Sequence, residues 1–145
     1  MRIFIASSGE RLNMAIEVGS WLEGMNVEPV LWNEPEVFPL GAYTWDALID
    51  LSENVDAAIF IFGEDDQIWF RGESTMTVRD NVLLEYGLFS GKLSKANTIF
   101  LCDGRPKLAS DLEGITWGDI RKKNSVRIKL ENWINSIQTN NQKKV

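Results

Sequence analysis

One acidic residue, Glu85, lies in a segment that is otherwise apolar on most sides. Residues 79–93 read RDNVLLEYGLFSGKL. At a helical rotation of about 100° per residue, the apolar side chains cover most of the circumference, which is typical of a buried helix. A carboxylate in such surroundings is poorly solvated, and poor solvation raises its pKa unless a partner compensates. Glu85 is therefore either held in a structural pair or available for chemistry, and the residues alone leave both roles open.

Polar residues at the start of the same segment suit the first turn of a helix. Arg79, Asp80 and Asn81 lie where backbone N–H groups are unpaired and carry partial positive charge. Such a position accommodates a side-chain cap or a phosphate group. We expect Asp80 to cap the helix, and we expect the three residues to form a polar cluster one turn before Glu85.

The composition excludes several classes of chemistry. The chain has no histidine and one cysteine, Cys102, so an internal disulfide, the usual zinc sites and Ser-His-Asp catalysis are ruled out. A net charge of −6 argues against a general nucleic-acid or membrane-surface binder. No signal peptide and no apolar run of about 20 residues is visible. We therefore expect a cytoplasmic protein without a metal site, whose acid or base chemistry depends on carboxylates.

Apolar runs alternate with amphipathic segments along the chain, which predicts a parallel sheet covered by helices on both faces. The predicted strands are 2–6, 27–32, 56–62 and 98–102, with an edge strand at 115–117, and the predicted helices are 10–24, 45–53, 79–93 and 124–137. For five strands, the flavodoxin-like α/β fold with strand order 2-1-3-4-5 is expected. We predict a single domain over residues 1–145, with its core at about 2–137 and a frayed tail at 138–145.

This fold places a binding site at the carboxyl ends of the strands, near the switch between the first and third strands. Ser7 and Ser8 follow the first strand, and Phe38 lies in a proline-containing loop after the second. Residues 63–78 are predicted to be a long irregular loop that holds Asp65 and Asp66. These acids either contribute to the site or simply lie in a solvent-exposed turn. The sequence predicts that these loops converge with Glu85 in one crevice.

Two common classes of protein with this fold do not match the sequence. A response regulator needs an acidic pair after the first strand, where this chain has Ser7 and Ser8. The short Ser7–Glu10 segment also differs from the phosphate loop of a flavodoxin, and neither of the common glycine-rich nucleotide motifs is present.

Five segments, in order along the chain, resemble the bacterial TIR-like nucleotide-binding family. They are FIASSGE at 4–10, the 32–38 segment, GEDD at 63–66, RDNVLLEYGLFSGKL at 79–93 and LASDLEGITW at 108–117. This is the TIR domain of anti-phage defence effectors, including those fused to bacterial STING sensors. The resemblance covers residues 2 to about 120.

The resemblance implies an NAD⁺ glycohydrolase that cleaves the nicotinamide–ribose bond and depletes NAD⁺, with Glu85 as the catalytic residue. NAD⁺ would be the substrate, and no separate cofactor is expected. Phe38 is expected to stack on the substrate, and the other expected substrate-binding residues are Ser7, Ser8, Asp65, Arg79, Asp80 and Asn81. The resemblance also implies self-association with like domains and activation by a sensor domain or cyclic-nucleotide-responsive partner outside this chain.

Two alternatives remain open from the sequence. A non-catalytic TIR scaffold would assemble with like domains without turning over a substrate. A nucleoside deoxyribosyltransferase-like enzyme also places a carboxylate of this fold at an N-glycosidic bond. Many TIR enzymes carry tryptophan four residues before the helix glutamate, whereas this chain has Asn81.

Overall fold

A five-stranded parallel sheet forms the centre of the computed structural model, which describes residues 1–38 and 44–144. Its strands are β1 (Arg2–Ala6), β2 (Glu28–Leu31), β3 (Ala57–Gly63), β6 (Thr98–Asp103) and β7 (Gly118–Asp119), in the order β2-β1-β3-β6-β7. A separate antiparallel hairpin contains β4 (Asp66–Phe70) and β5 (Glu73–Thr77). The helices are α1 (Leu12–Glu23), α2 (Thr44–Glu53), α3 (Asp80–Leu93) and α4 (Lys123–Lys143). The predicted flavodoxin-like fold and strand order are confirmed.

Alternating side chains of the central strands supply two separate cores. Every residue of β3 is buried. Ile59 and Ile61 face a cluster that includes α1 and α4, whereas Phe60 and Phe62 face a cluster that includes α2 and α3. This period of two is what a strand covered on both faces requires. The three layers therefore follow from the apolar run at 57–62.

Aromatic packing fixes α3 against the sheet. Phe89 is fully buried, with its ring centroid 4.8 Å from that of Phe4 and 5.7 Å from that of Phe60. Tyr86 packs edge-on against Phe60 at 5.5 Å. Because Glu85 directly precedes Tyr86 and follows buried Val82 along the helix, its orientation is set by the core.

The hairpin corrects the prediction of an irregular loop over residues 63–78. Strands β4 and β5 pair in register from Asp66 with Thr77 to Phe70 with Glu73. The turn between them places Arg71 at φ 51° and Gly72 at φ 82°, as the two-residue hairpin turns with positive φ require. The prediction was wrong because this turn lacks the common Asn-Gly or Asp-Gly signal and because much of the hairpin is polar or charged.

Two boundaries near the C-terminus also differ from the predictions. The edge strand is β7 at Gly118–Asp119, beyond the predicted 115–117. Helix α4 continues to Lys143, beyond its predicted end at residue 137 and into the segment predicted to be a tail. Polar residues such as Gln138 sustain an exposed helix without contributing an apolar face, which is why hydrophobic spacing did not reveal this extension. None of the helices within residues 1–38 and 44–144 is long and apolar enough to cross a membrane.

Candidate functional site

Glu85 lies on α3 beside a cavity and has lost much of its hydration. Its neighbours Val82, Tyr86 and Phe89 are buried in the core, and the carboxyl side chain is partly buried next to them. Burial raises the pKa of Glu85 from 4.5 to about 7. Within the described part of the chain, no cation offsets this desolvation, and Lys92 of the same helix instead pairs with Glu53 at 3.1 Å. The geometry therefore favours an acid available to a ligand over the structural pair that the sequence left open.

The cavity has a volume of about 250 Å³ and lies at the carboxyl ends of β1 and β2, as expected for this fold. Its described lining residues are Ser7, Trp32, Phe38, Thr44, Leu48 and Glu85. Most of this surface is aromatic or aliphatic. A small number of polar groups in an apolar cavity is typical of a small-molecule site.

A chain of hydrogen bonds fixes the Ser7 hydroxyl in the cavity wall. The indole Nε1–H of Trp32 donates to Oγ of Ser7 at 2.9 Å. The Ser7 hydroxyl donates in turn to the carbonyl oxygen of Ser8 at 2.9 Å. The parallel pairing of β1 with β2 brings these residues together, since Ile5 is in register with Leu31 and the Trp32 N–H donates to the Ile5 carbonyl.

Asp65 is the centre of a network that ties three loops together. Its side chain is fully buried and pairs with Arg11. It also accepts hydrogen bonds from the Ser8 hydroxyl at 2.7 Å and from the Arg79 backbone N–H at 3.2 Å. Arg11 bonds Asp103 as well, at 3.2 Å. Because its carboxylate oxygens already have these partners, Asp65 has a structural role: it connects the segment after β1 to the residue that precedes α3.

The Arg79 guanidinium is engaged by two carboxylates. It bonds Glu10 at 2.8 and 3.0 Å and Asp66 at 3.1 and 3.3 Å. The hydrogen bonds from Arg79 lower the pKa of Glu10 to about 2, and the two acids raise the pKa of Arg79. A phosphate group would have to displace these partners to reach the guanidinium.

The start of α3 differs from the predicted cap. Arg79 occupies the N-cap position, no side chain caps the helix there, and Asp80 is the first helical residue. Oδ1 of Asp80 accepts a hydrogen bond from the backbone N–H of Asn81 at 2.7 Å. Both residues are exposed. The predicted capping role of Asp80 is therefore wrong, because Asp80 lies one residue past the N-cap position, inside the helix.

The structure divides the predicted site residues into two groups. Ser7, Phe38 and Glu85 line the same cavity. The others lie outside its described lining, and they are Ser8, Asp65, Arg79, Asp80 and Asn81. Part of the predicted loop that holds Phe38, residues 39–42, lies outside the described residues.

Three further residues, Trp32, Thr44 and Leu48, line the cavity and were not predicted from the sequence. One available signal was the position of Trp32, a large aromatic residue at the end of a short strand that precedes the predicted crevice. Leu48 fits the ordinary spacing of a core-facing helix residue, and Thr44 begins α2 at an exposed position. Neither has a local feature that distinguishes a cavity wall from packing.

Comparison with known families agrees with this architecture. Residues 2–122 match the family described as "CAP12/Pycsar effector protein, TIR domain". The chain belongs to this TIR-domain family. The match contains all the described lining residues of the cavity and the whole of α3.

Curated relatives are longer proteins than this TIR domain. The chain is 34% identical over 138 residues to CD-NTase-associated protein 12 of Sphingobacterium faecium, an alignment that covers 95% of this chain and 42% of that protein. It is 37% identical over 117 residues to the Pycsar effector protein PaPycTIR of Pseudomonas aeruginosa, covering 79% of this chain and 37% of the relative. The TIR domain thus spans about two fifths of the length of these relatives.

Solved structures share the fold at low sequence identity. The TIR domain of the Toll-related receptor TRR-2 from Hydra magnipapillata aligns with a TM-score of 0.64 at 15% identity, covering 94% of this chain and 97% of that one. The SEFIR domain of IL-17 receptor B aligns with a TM-score of 0.52 at 13% identity, covering 92% and 96%. These similarities establish the architecture alone.

Proposed function

We propose that this TIR domain is an NAD⁺ glycohydrolase that cleaves the nicotinamide–ribose bond, with Glu85 as its catalytic carboxylate. The observation that carries the proposal is the position of Glu85, which lines a largely apolar cavity of about 250 Å³. Its carboxyl group is desolvated, and no cation within the described residues offsets its charge. This volume is below the range of roughly 300–1,000 Å³ for drug-sized ligands. It suits the nicotinamide end of the dinucleotide, with the adenylate half outside.

The reaction needs little acid catalysis. Heterolysis of the bond between ribose C1′ and the pyridinium nitrogen moves the bonding electron pair to nitrogen, so nicotinamide departs as a neutral molecule. Water then forms the new C1′–O bond and releases one proton, giving ADP-ribose. The barrier is the formation of an oxocarbenium-like ribose, as in other glycoside cleavages.

Glu85 would stabilise this developing cation. At a separation of about 4 Å and an effective dielectric of about 20, the attraction between two unit charges is on the order of 4 kcal/mol. If it acted only in the transition state, this energy would correspond to roughly three decades of rate. Part of it is also felt by the cationic ground state, which reduces the net acceleration. A carboxylate in an apolar wall is suited to this role because its charge is weakly screened.

The biological setting is part of the same proposal. The relatives named Pycsar effectors and CD-NTase-associated proteins support a role in anti-phage defence. In this proposal, NAD⁺ depletion would be the effector output. Because the relatives extend beyond the length matched here, a sensor that responds to a cyclic nucleotide and clusters the TIR domains is a suitable activator. Self-association would then be a condition of activity.

The direct test is nicotinamide release from NAD⁺, followed by chromatography, over a dilution series and with the domain displayed densely on beads. We expect turnover per domain to rise with clustering and to fall by at least about 100-fold in Glu85→Gln. Glu131→Gln, an exposed acid on α4, is the matched control and should retain activity. No release at any density would favour the scaffold alternative, and equal release from Glu85→Gln would remove Glu85 from the mechanism.

A further inference from the structure

The hydroxyl of Ser7 has its hydrogen-bonding capacity largely fixed before any ligand arrives. An indole N–H is only a donor, so the contact with Trp32 Nε1 at 2.9 Å makes Ser7 Oγ an acceptor. The hydroxyl proton points to the Ser8 carbonyl at 2.9 Å. A hydroxyl group has one proton and two lone pairs. One lone pair therefore remains for a molecule in the cavity, and it accepts a hydrogen bond but does not donate one.

We infer that Ser7, oriented by Trp32, selects a ligand that carries a carboxamide over one that carries a carboxylate at the same position. This inference rests on the proposed function and specifies which pyridine dinucleotide the cavity accepts. The carboxamide of nicotinamide has two N–H donors, whereas the carboxylate of nicotinic acid has none. Ser7 is then a specificity residue that touches the ligand, and Trp32 acts through it as a positioning residue.

The charges around the cavity support the same selection. Glu85 is the only ionisable side chain among the described lining residues. Two cations of the Asp65 network, Arg11 and Arg79, already form ion pairs with carboxylates. A ligand carboxylate would therefore be repelled by the Ser7 lone pair and by the charge of Glu85, and no cation among the described lining residues would offset this repulsion. Thr44 contributes one further hydroxyl, at an exposed position at the start of α2.

The lining also favours the ring over the sugar as the occupant beside Ser7. Trp32, Phe38 and Leu48 give the cavity flat and apolar walls. An aromatic ring gains from stacking and burial between such walls, whereas burial of ribose hydroxyls among them leaves polar groups without partners. A pyridine ring between these walls would place its carboxamide against the Ser7 hydroxyl, which lines the cavity beside Trp32.

The test compares kcat/KM for NAD⁺ with kcat/KM for nicotinic acid adenine dinucleotide under clustered conditions. We expect the unmodified domain to prefer NAD⁺ by at least about 100-fold, because a buried polar group left without a partner and a repelled charge both oppose the acid. Ser7→Ala and Trp32→Phe should each reduce this preference by about tenfold. The double variant should reduce it no further, because both substitutions remove the same oriented lone pair.

Matched controls separate selectivity from folding. Trp133→Phe removes a comparable indole hydrogen bond, at 2.8 Å to the Ala96 carbonyl, outside the cavity. Ser52→Ala removes a buried hydroxyl that donates to the Ile49 carbonyl. Neither control should change the ratio of the two kcat/KM values. A lower rate for both substrates with an unchanged ratio in Ser7→Ala and Trp32→Phe would show a merely structural role and overturn the inference.

Binding of free nicotinamide and free nicotinate, measured by ligand-observed NMR, distinguishes the two proposals. Nicotinamide binding that is weakened in Ser7→Ala, together with an absence of NAD⁺ cleavage, would refute the glycohydrolase and leave the selectivity standing. Equal cleavage of both dinucleotides would refute the selectivity and leave the glycohydrolase standing. Equal binding of nicotinamide and nicotinate, or binding of neither, would also refute the selectivity.

Discussion

Replacing Glu85 with glutamine should stabilise the fold at alkaline pH, because the carboxylate is desolvated without compensation. The folded protein keeps the Glu85 proton up to about pH 7, whereas an ordinary glutamate loses it near pH 4.5. Between these values the folded state binds more protons than the unfolded state, so the free energy of unfolding falls as the pH rises. The cost of this acid is fully present above about pH 7 and absent below about pH 4.5. Glutamine has a similar shape and avoids it.

The expected magnitude follows from the two pKa values. A change from 4.5 to about 7 corresponds to about 3 kcal/mol at 1.36 kcal/mol per pH unit. Partial solvent exposure of the side chain reduces this figure. We therefore expect Glu85→Gln to exceed the unmodified protein in stability by about 2 kcal/mol more at pH 8 than at pH 5.

Urea unfolding at these two pH values measures the effect. For a slope of about 1–2 kcal/mol per molar urea, the additional midpoint shift at pH 8 is about 1–2 M. Glu131→Gln provides the control, since that acid is exposed and its removal should give no such difference between the two pH values. A Glu85→Gln variant that is no more stable than the unmodified protein at pH 8 would mean that the carboxylate has a stabilising partner, and the reasoning would fail.

Two further predictions concern the ionisation of Glu85 during cleavage and the ion pair between Arg11 and Asp65. For NAD⁺ cleavage, kcat/KM should rise about tenfold per pH unit below pH 7 and level off above it, because Glu85 must be ionised. The midpoint of the kcat profile should lie at lower pH than that of kcat/KM, because the bound cationic substrate favours the ionised carboxylate. A flat profile across this range would contradict the assignment. Gly63→Ala should lower the free energy of unfolding by about 3 kcal/mol in urea titrations, because its Cβ would collide with the Arg11 guanidinium and break the pairing with buried Asp65. Gly91→Ala has open space around the new methyl group and should be neutral or stabilising, so an equal loss in both variants would refute this explanation.

The central strand and helix α3 could be predicted from the sequence because their signals are local. A continuous apolar run at 57–62 admits few arrangements other than a strand covered on both faces. The helix at 80–93 was visible from its spacing, and Glu85 was conspicuous as an acid within it. These elements place the carboxylate near the carboxyl ends of the strands once the fold is known.

The roles of Asp65 and Trp32 depend on contacts between distant parts of the chain. The sequence does not distinguish a buried Asp65 with three partners from an acid in a solvated turn, because Arg11 lies 54 residues away. The hydrogen bond from Trp32 to Ser7 likewise depends on the register between two strands. Such pairings are created by the tertiary fold, so local composition contains little information about them.

The measurement that tests the central claim most directly is the initial rate of nicotinamide release from NAD⁺ by the clustered domain and by clustered Glu85→Gln at pH 8. Circular dichroism at the same pH establishes that both proteins are folded. We predict release by the unmodified domain and a rate lower by at least about 100-fold in the variant, even though the variant is the more stable protein. Equal rates in the two folded proteins, or no release by either, would contradict the account.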